Sequence, residues 1–168
     1  MEPRASSTPS KRTAEALEMH YELYMRAALA EAAQARRSGE RANGAVAILD
    51  EAMVAHGREA VANSGDPTAH AVIIALREAA TKLGRTSLQG ATIFTVVEPC
   101  PMCVGALLAC DADGVVFALP DPQEGACHSA MKMAEGSGVK QRLQVVSGIL
   151  QEDAAELRPD LAAEGTRA

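Results

Sequence analysis

The sequence contains no tryptophan, and aromatic residues fill only 2% of its 168 positions. With so few aromatics there is no broad platform on which unstacked bases could lie, which argues against a general single-strand binder. Cationic residues are scarce too: 16 Lys and Arg stand against 22 Asp and Glu, a formal net charge of −6. That balance makes phosphate backbone a poor main source of affinity, although one local basic patch is compatible with it. No apolar run is long enough to cross a membrane, and no internal repeat is visible. Four cysteines without an apolar leader point to a reducing, cytoplasmic setting rather than a disulfide scaffold.

What is present is a hydrophobic share of 48%, enough for one core in one domain. Residues 1–12 are polar, Pro/Ser-rich and aperiodic, and read as a disordered tail ahead of a single domain over 13–165. From Thr13, the expected N-cap, to about Ser38, apolar residues recur at helical spacing with no Gly or Pro. Gly44 to Leu49 reads as a buried strand, turned at Asp50-Glu51 into a second strand, Ala52 to Ala55. His56 to Gly65 reads as irregular. Asp66 as N-cap and Pro67 at the first helical position predict a helix to Leu83, stopped by Gly84. A strand over Ala91–Val97, a helix from Cys100 to Ala109 and a strand over Gly114–Leu119 follow. After a loop at Asp121–Gly125 come a short helix (Ala126–Ala134), a short strand within Leu143–Leu150, and a last helix from Glu152 to Leu161. Strands alternating with helices after an opening hairpin predict an α/β layered domain with helices on both sides of a mixed sheet.

One stretch carries the chemistry: Glu98-Pro99-Cys100-Pro101-Met102-Cys103. A strand that ends at a proline and passes into a helix puts both thiols on the helix's first turn. There the free N–H groups and the helix dipole favour thiolates. Two thiolates at this spacing can grip a soft divalent ion. His70, near the start of the preceding helix, can reach the same place. One His and two Cys with an open fourth position is the donor set of a catalytic zinc, whose bound water becomes acidic near neutral pH. Each motif alone is equally compatible with a redox pair or with packing. A closed structural zinc would need a fourth ligand, for which Cys127 and His128 are candidates; Cys110 lies two turns along and points elsewhere.

Asp66-Pro67-Thr68-Ala69-His70-Ala71, Ala75-Leu76-Arg77-Glu78-Ala79 and Glu98-Pro99-Cys100-Pro101-Met102-Cys103-Val104-Gly105-Ala106 together resemble the zinc-dependent cytidine deaminase superfamily. The likeness is greatest to its branch of bacterial tRNA adenosine deaminases and guanine deaminases. It covers about residues 44–135. It implies a three-layer α-β-α sandwich around a five-stranded mixed sheet, zinc held by His70, Cys100 and Cys103, and a homodimer. It also implies substrate contacts from Asn43, Ala69, Val72 and the loop at Asp121 and Gly125-Ala126.

Three positions depart from the family. The residue two after His70 is Val72, where the signature has the glutamate that moves protons between water, ring nitrogen and leaving amine. Asn43 stands where the family often has Pro. The family's substrate-holding Asn before Asp66-Pro67 has no clear counterpart; Arg58 or Glu59 falls near that place, and Asn63 is closer to the helix than expected. Valine cannot carry a proton, and loss of a positioned general acid–base costs about 100- to 10,000-fold. Three readings of Val72 follow: another carboxylate does the work, with Glu124 or Asp121 the expected ones; the chain is a zinc-binding pseudoenzyme; or Val72 is an inactivating or engineered change in a tRNA adenosine deaminase. Glu98 belongs to the scaffold of the motif and Glu78 projects away from His70. Negative charge and few aromatics favour a free nucleobase or related amino-heterocycle over tRNA as the substrate.

Overall fold

The computed structural model describes residues 11–135 and 143–164. Most of the expected tail, residues 1–10, lies outside the described residues, while Lys11 and Arg12 already belong to the first helix. That helix, α1 (Lys11–Arg37), begins ahead of the expected cap at Thr13. It is followed by β1 (Gly44–Leu49) and β2 (Ala52–Arg58), joined at Asp50 and Glu51, whose φ values of 50° and 62° close a tight two-residue hairpin. β2 runs three residues further than the expected Ala55. Its Gly57 is buried while His56 and Arg58 point outward, each pairing with Glu31 of α1 at 3.2 and 3.1 Å. The polar residues that read as irregular are the solvent side of an edge strand.

A one-turn helix, α2 (Val61–Ser64), then occupies part of the stretch expected to be irregular. The helix α3 (Ala71–Leu83) starts four residues later than Pro67. Asp66 does cap, but it caps a turn: its Oδ1 accepts from the Thr68 N–H at 2.8 Å and from the Thr68 hydroxyl at 2.7 Å. His70, extended at φ −75° and ψ 149°, is the true N-cap. The strand β3 (Thr92–Val97), the helix α4 (Pro101–Ala109) and the strand β4 (Gly114–Leu119) follow the reading closely. The stretch Ala126–Ala134 is a chain of turns ending in a short 3₁₀ segment, Met133–Glu135, not an α-helix. After β5 (Gln144–Ser147), the last helix is split into α5 (Gln151–Leu157) and α6 (Pro159–Glu164). Pro159 pushes Arg158 out of helical geometry and has no N–H to continue α5.

The strands form one five-stranded mixed sheet in the order β2-β1-β3-β4-β5. β1 is antiparallel to both neighbours, while β3, β4 and β5 are parallel. α3 and α4 cover one face, packing on Ala45, Ala47, Ile93, Val115 and Phe117. α1 and α5 cover the other, on Val46, Ile48, Phe94, Val96 and Val116. The alternation along each strand is what buries both faces. The three-layer α-β-α sandwich is therefore as expected. No helix of the described residues is long and apolar enough to cross a membrane.

One feature of the packing bears directly on the site. A Cβ on Gly57 would run into the Ala71 carbonyl and the Ala75 nitrogen. Gly57 thus lets α3 lie directly on β2, so that the start of α3 and the end of β2 share one edge of the sheet.

Candidate active site

β1 runs against the other four strands, so its beginning and their ends meet at the same edge of the sheet. Ligand sites in α/β sheets form at this carboxyl edge of the strands. Here a small cleft is lined by Asn43, Glu59, His70, Val72, Cys100 and Cys103, together with Arg41, Asp121, Glu124 and Arg158 and with Val97, Glu98 and Pro99.

Two helix starts deliver the metal-binding donors. His70 is the N-cap of α3, and Cys100 is the N-cap of α4 with Pro101 at the first helical position. Because each N-cap is extended rather than helical, its side chain projects past the helix end instead of along it. Cys103, one turn in, is buried. His70 Nδ1 lies 3.5 Å from Cys100 Sγ and 3.6 Å from Cys103 Sγ. Tetrahedral zinc with the usual Zn–N and Zn–S bonds would set a nitrogen and a sulfur about 3.6 Å apart, so the donors already stand at ligand spacing. They form the one His/Cys/carboxylate cluster of this kind among the described residues, with ligand atoms all within 4.8 Å of one another. The donor set and its geometry fit zinc.

Among the described residues no fourth protein donor closes the cluster. Cys127 and His128 do not belong to it. Their backbone N–H groups bond Glu98 Oε1 at 3.1 and 2.9 Å, and the His128 ring leans on Phe117 with centroids 5.3 Å apart. Cys110 turns back to the Leu107 carbonyl.

The electrostatics suit thiolate ligands. A hydrogen bond from Cys103 lowers the Cys100 thiol to about 5 against the cost of burial, and the Cys103 N–H and His70 help. Cys103 is pushed upward by Cys100 and by burial, with the charge of Glu59 adding to the effect. Both would ionise only with a cation between them.

Glu98 is scaffold, as the sequence indicated. Its Oε1 also accepts from the Ser129 N–H at 3.0 Å, and its Oε2 from the Asp121 N–H at 3.0 Å. Burial opposes its ionisation, but hydrogen bonds from Ser129, His128 and Asp121 outweigh that and hold the carboxyl below the usual range. No helix forms at Ala126–Ala134: beyond the three N–H groups that converge on Glu98, those of Ala130 and Met131 both return to the Gly125 carbonyl and that of Met133 to Ala126, so no i to i−4 ladder is built. A Cβ on Gly125 would strike the Glu98 carboxylate, so this contact requires glycine.

Of the other expected site residues, Asn43 is in the cleft wall, but its Oδ1 accepts from the Val97 N–H at 3.2 Å and the Thr95 hydroxyl at 3.3 Å. It ties β1 to β3. Ala69 is buried and is not part of the cleft wall. Val72 is in the wall and only 1% exposed. Asp121 Oδ1 accepts from the Gln123 and Glu124 N–H groups, both at 3.0 Å. Glu124 is at the rim, 62% exposed, 3.8 Å from Arg41.

Arg41 and Arg158, to which the sequence did not point, also border the cleft, as does Glu59, which the sequence put near the place of the family's substrate-holding Asn. Glu59 is the notable one, a carboxylate only 3% exposed. Its Oε2 accepts from the Ala71 N–H at 3.2 Å, and its Oε1 is 3.4 Å from Arg41 Nη2. Its place just past the end of β2 was hidden because β2 was read as ending at Ala55. Arg158 comes from the break that Pro159 makes between α5 and α6, and its guanidinium forks onto Asp160 at 2.7 to 3.2 Å.

Comparison with known proteins agrees with this site. The profile of the cytidine and deoxycytidylate deaminase zinc-binding region matches residues 19–119. The tRNA-specific adenosine deaminase of Bacillus subtilis is 35% identical over 132 residues, covering 79% of this chain and 82% of that protein. The guanine deaminase of the same species is 37% identical over 101 residues, covering 60% and 65%. A solved structure from work on A-to-I editing by tRNA:A34 deaminases superposes with a TM-score of 0.77 at 31% identity, covering 80% of this chain and 97% of that one. With the zinc-binding region matched across β1 to β4 and the three donors at ligand spacing, this chain belongs to the cytidine and deoxycytidylate deaminase zinc-binding family.

Proposed function

We propose that the chain is a hydrolytic deaminase that converts the C–NH2 carbon of a heterocyclic base to C=O and releases ammonia. The observation that carries this reading is the convergence of His70, Cys100 and Cys103 at tetrahedral spacing, with no fourth protein donor in their cluster among the described residues. Zinc held there would supply an acidified water close to the base. Val72, Val97 and Pro99 offer the flat ring an apolar wall. The exposed Arg41 and the half-buried Arg158 stand where they can meet ring oxygens or a phosphate at the mouth.

Two substrate readings rest on different observations. A base presented by tRNA is supported by the likeness to tRNA-specific adenosine deaminases over most of the chain. A free base is supported by the net charge of −6 and by the likeness to guanine deaminase. The tRNA reading has the longer match behind it. Ammonia release by the zinc-loaded protein, measured on adenine, guanine, cytosine, 2,6-diaminopurine and a tRNA anticodon stem-loop, tests both. Turnover on the stem-loop alone favours the tRNA reading, and turnover on a free base favours the other. No turnover on any of them favours a catalytically silent binding protein.

A further inference from the structure

We infer that the proton-handling carboxylate of this site is Glu59, brought from the end of β2 to the first turn of α3, where it takes over the task the family signature gives to the position held here by Val72. The inference rests on the deaminase reading above.

Four carboxylates border the cleft: Glu59, Glu98, Asp121 and Glu124. Glu98 spends both oxygens on four backbone N–H groups. Asp121, one of the two candidates from sequence, has its Oδ1 committed to the turn it starts. Glu124, the other, is held by nothing but a long contact to an exposed arginine, and it lies mostly in water. A group left that free brings no positioning to a proton transfer. Glu59 alone is both buried and under-used. A carboxylate has about four acceptor positions. Glu59 fills one with the Ala71 N–H and a second, weakly, with Arg41.

Its location matters more than its capacity. Ala71 is the residue between the imidazole ligand His70 and Val72, so Glu59 Oε2 touches the same helical turn on which the signature glutamate would sit. Yet Glu59 does not join the cluster of ligand atoms. It borders the same cleft as the three donors without capping them. Val72 completes the arrangement: it is small, apolar and 1% exposed. A second carboxylate there would face Glu59 across one turn, and two like charges in a buried site disfavour each other's ionised form. A valine at this place keeps one carboxylate in the pocket.

The step balances without a redox partner. Glu59 takes a proton from water as the water oxygen bonds to the amine-bearing carbon. It passes that proton to the neighbouring ring nitrogen. It then moves the remaining hydroxyl proton to the amine, the C–N bond breaks, ammonia leaves, and the carboxylate is restored.

The test compares zinc-loaded native chain, Glu59→Gln, Val72→Glu and the double variant on the five substrates named above, with zinc content and thermal midpoint measured on each. Glu59→Gln is expected to lose about 100-fold or more in kcat with KM changed little. It should retain one zinc per chain and melt within about 3 °C of native. Val72→Glu alone should fall below native, because the added carboxylate disfavours the ionised Glu59, while the double variant should regain about tenfold or more over Glu59→Gln, because it restores a single carboxylate on that turn. A merely structural Glu59 would lower zinc content or melting point and would not be rescued from position 72; that result overturns the inference. Native kcat in Glu59→Gln also overturns it and leaves the deaminase reading standing. A silent native chain with an active Val72→Glu overturns Glu59 but keeps the deaminase pocket. If both are silent, the deaminase reading falls and Glu59's role with it.

Discussion

At the scale of single residues, the site depends on side chains whose backbone context is unusual. His70 and Cys100 work because they are N-caps, extended residues at the mouths of helices. The sequence announced the cysteines, since a proline on each side of Cys100 marks a strand end and a helix start. It announced His70 only approximately, because Asp66-Pro67 looks like a helix start and is instead a turn. Glu59 was harder still. The sequence put it only near the place of the family's substrate-holding Asn, and the extension of β2 to Arg58 is what carries it to the cleft. Replacing Cys103 with Ser should leave a fold that melts as one unit but holds far less zinc; full zinc content by atomic absorption would speak against Cys103 as a ligand. Glu98 is the other residue with a distinct role. Glu98→Gln keeps the shape but removes the charge that four N–H groups converge on, and should cost about 2 kcal/mol in urea denaturation.

At the scale of elements, the strands and the long helices were legible because their apolar periodicities are strong and their ends carry Gly or Pro. β1, β3 and β4 are short apolar runs, and α3 stops at Gly84, whose φ of 63° is the left-handed cap such a glycine supplies. What failed were segments whose structure depends on distant partners. Across the expected helix at Ala126–Ala134 the chain wraps around Glu98, almost thirty residues earlier, and its later N–H groups return to Gly125 and Ala126 instead of forming a helical ladder. β2 extends past Ala55 because His56, Gly57 and Arg58 pair with Val46, Ala45 and Gly44 of β1, while Glu31 of α1 meets the His56 and Arg58 side chains. Neither effect is local, so neither shows in a short window. The contact of α3 on β2 at Gly57 sets how close Glu59 comes to the start of α3. Gly57→Ala should therefore destabilise by about 2–3 kcal/mol and lower the melting point by about 5–10 °C. A melting point within a degree of native would mean that the helix can move away freely.

At the scale of the whole molecule, the sheet is a device for bringing four segments, distant in sequence, to one edge. Residues near positions 43, 59, 70 and 100 meet there because β1 runs against its four companions. The resemblance read from the sequence correctly implied this architecture, and the three donors it named stand within ligand spacing of one another. It placed a proton carrier where this chain has Val72. Metal is expected to hold the edge together, since a ligand that binds only the folded state adds to stability in proportion to the logarithm of its concentration over its dissociation constant. Dialysis against a chelator should lower the melting point, and one equivalent of zinc should restore it. A chelated protein that melts with the native one would show that the site does not need the ion to stay assembled. The central claim is narrower, that zinc here has three protein ligands and one open position. X-ray absorption at the zinc edge tests it most directly. The account predicts two sulfurs at about 2.3 Å, one imidazole nitrogen at about 2.0 Å and one light atom from solvent. A shell of three sulfurs, a second imidazole, or no zinc at all would contradict it.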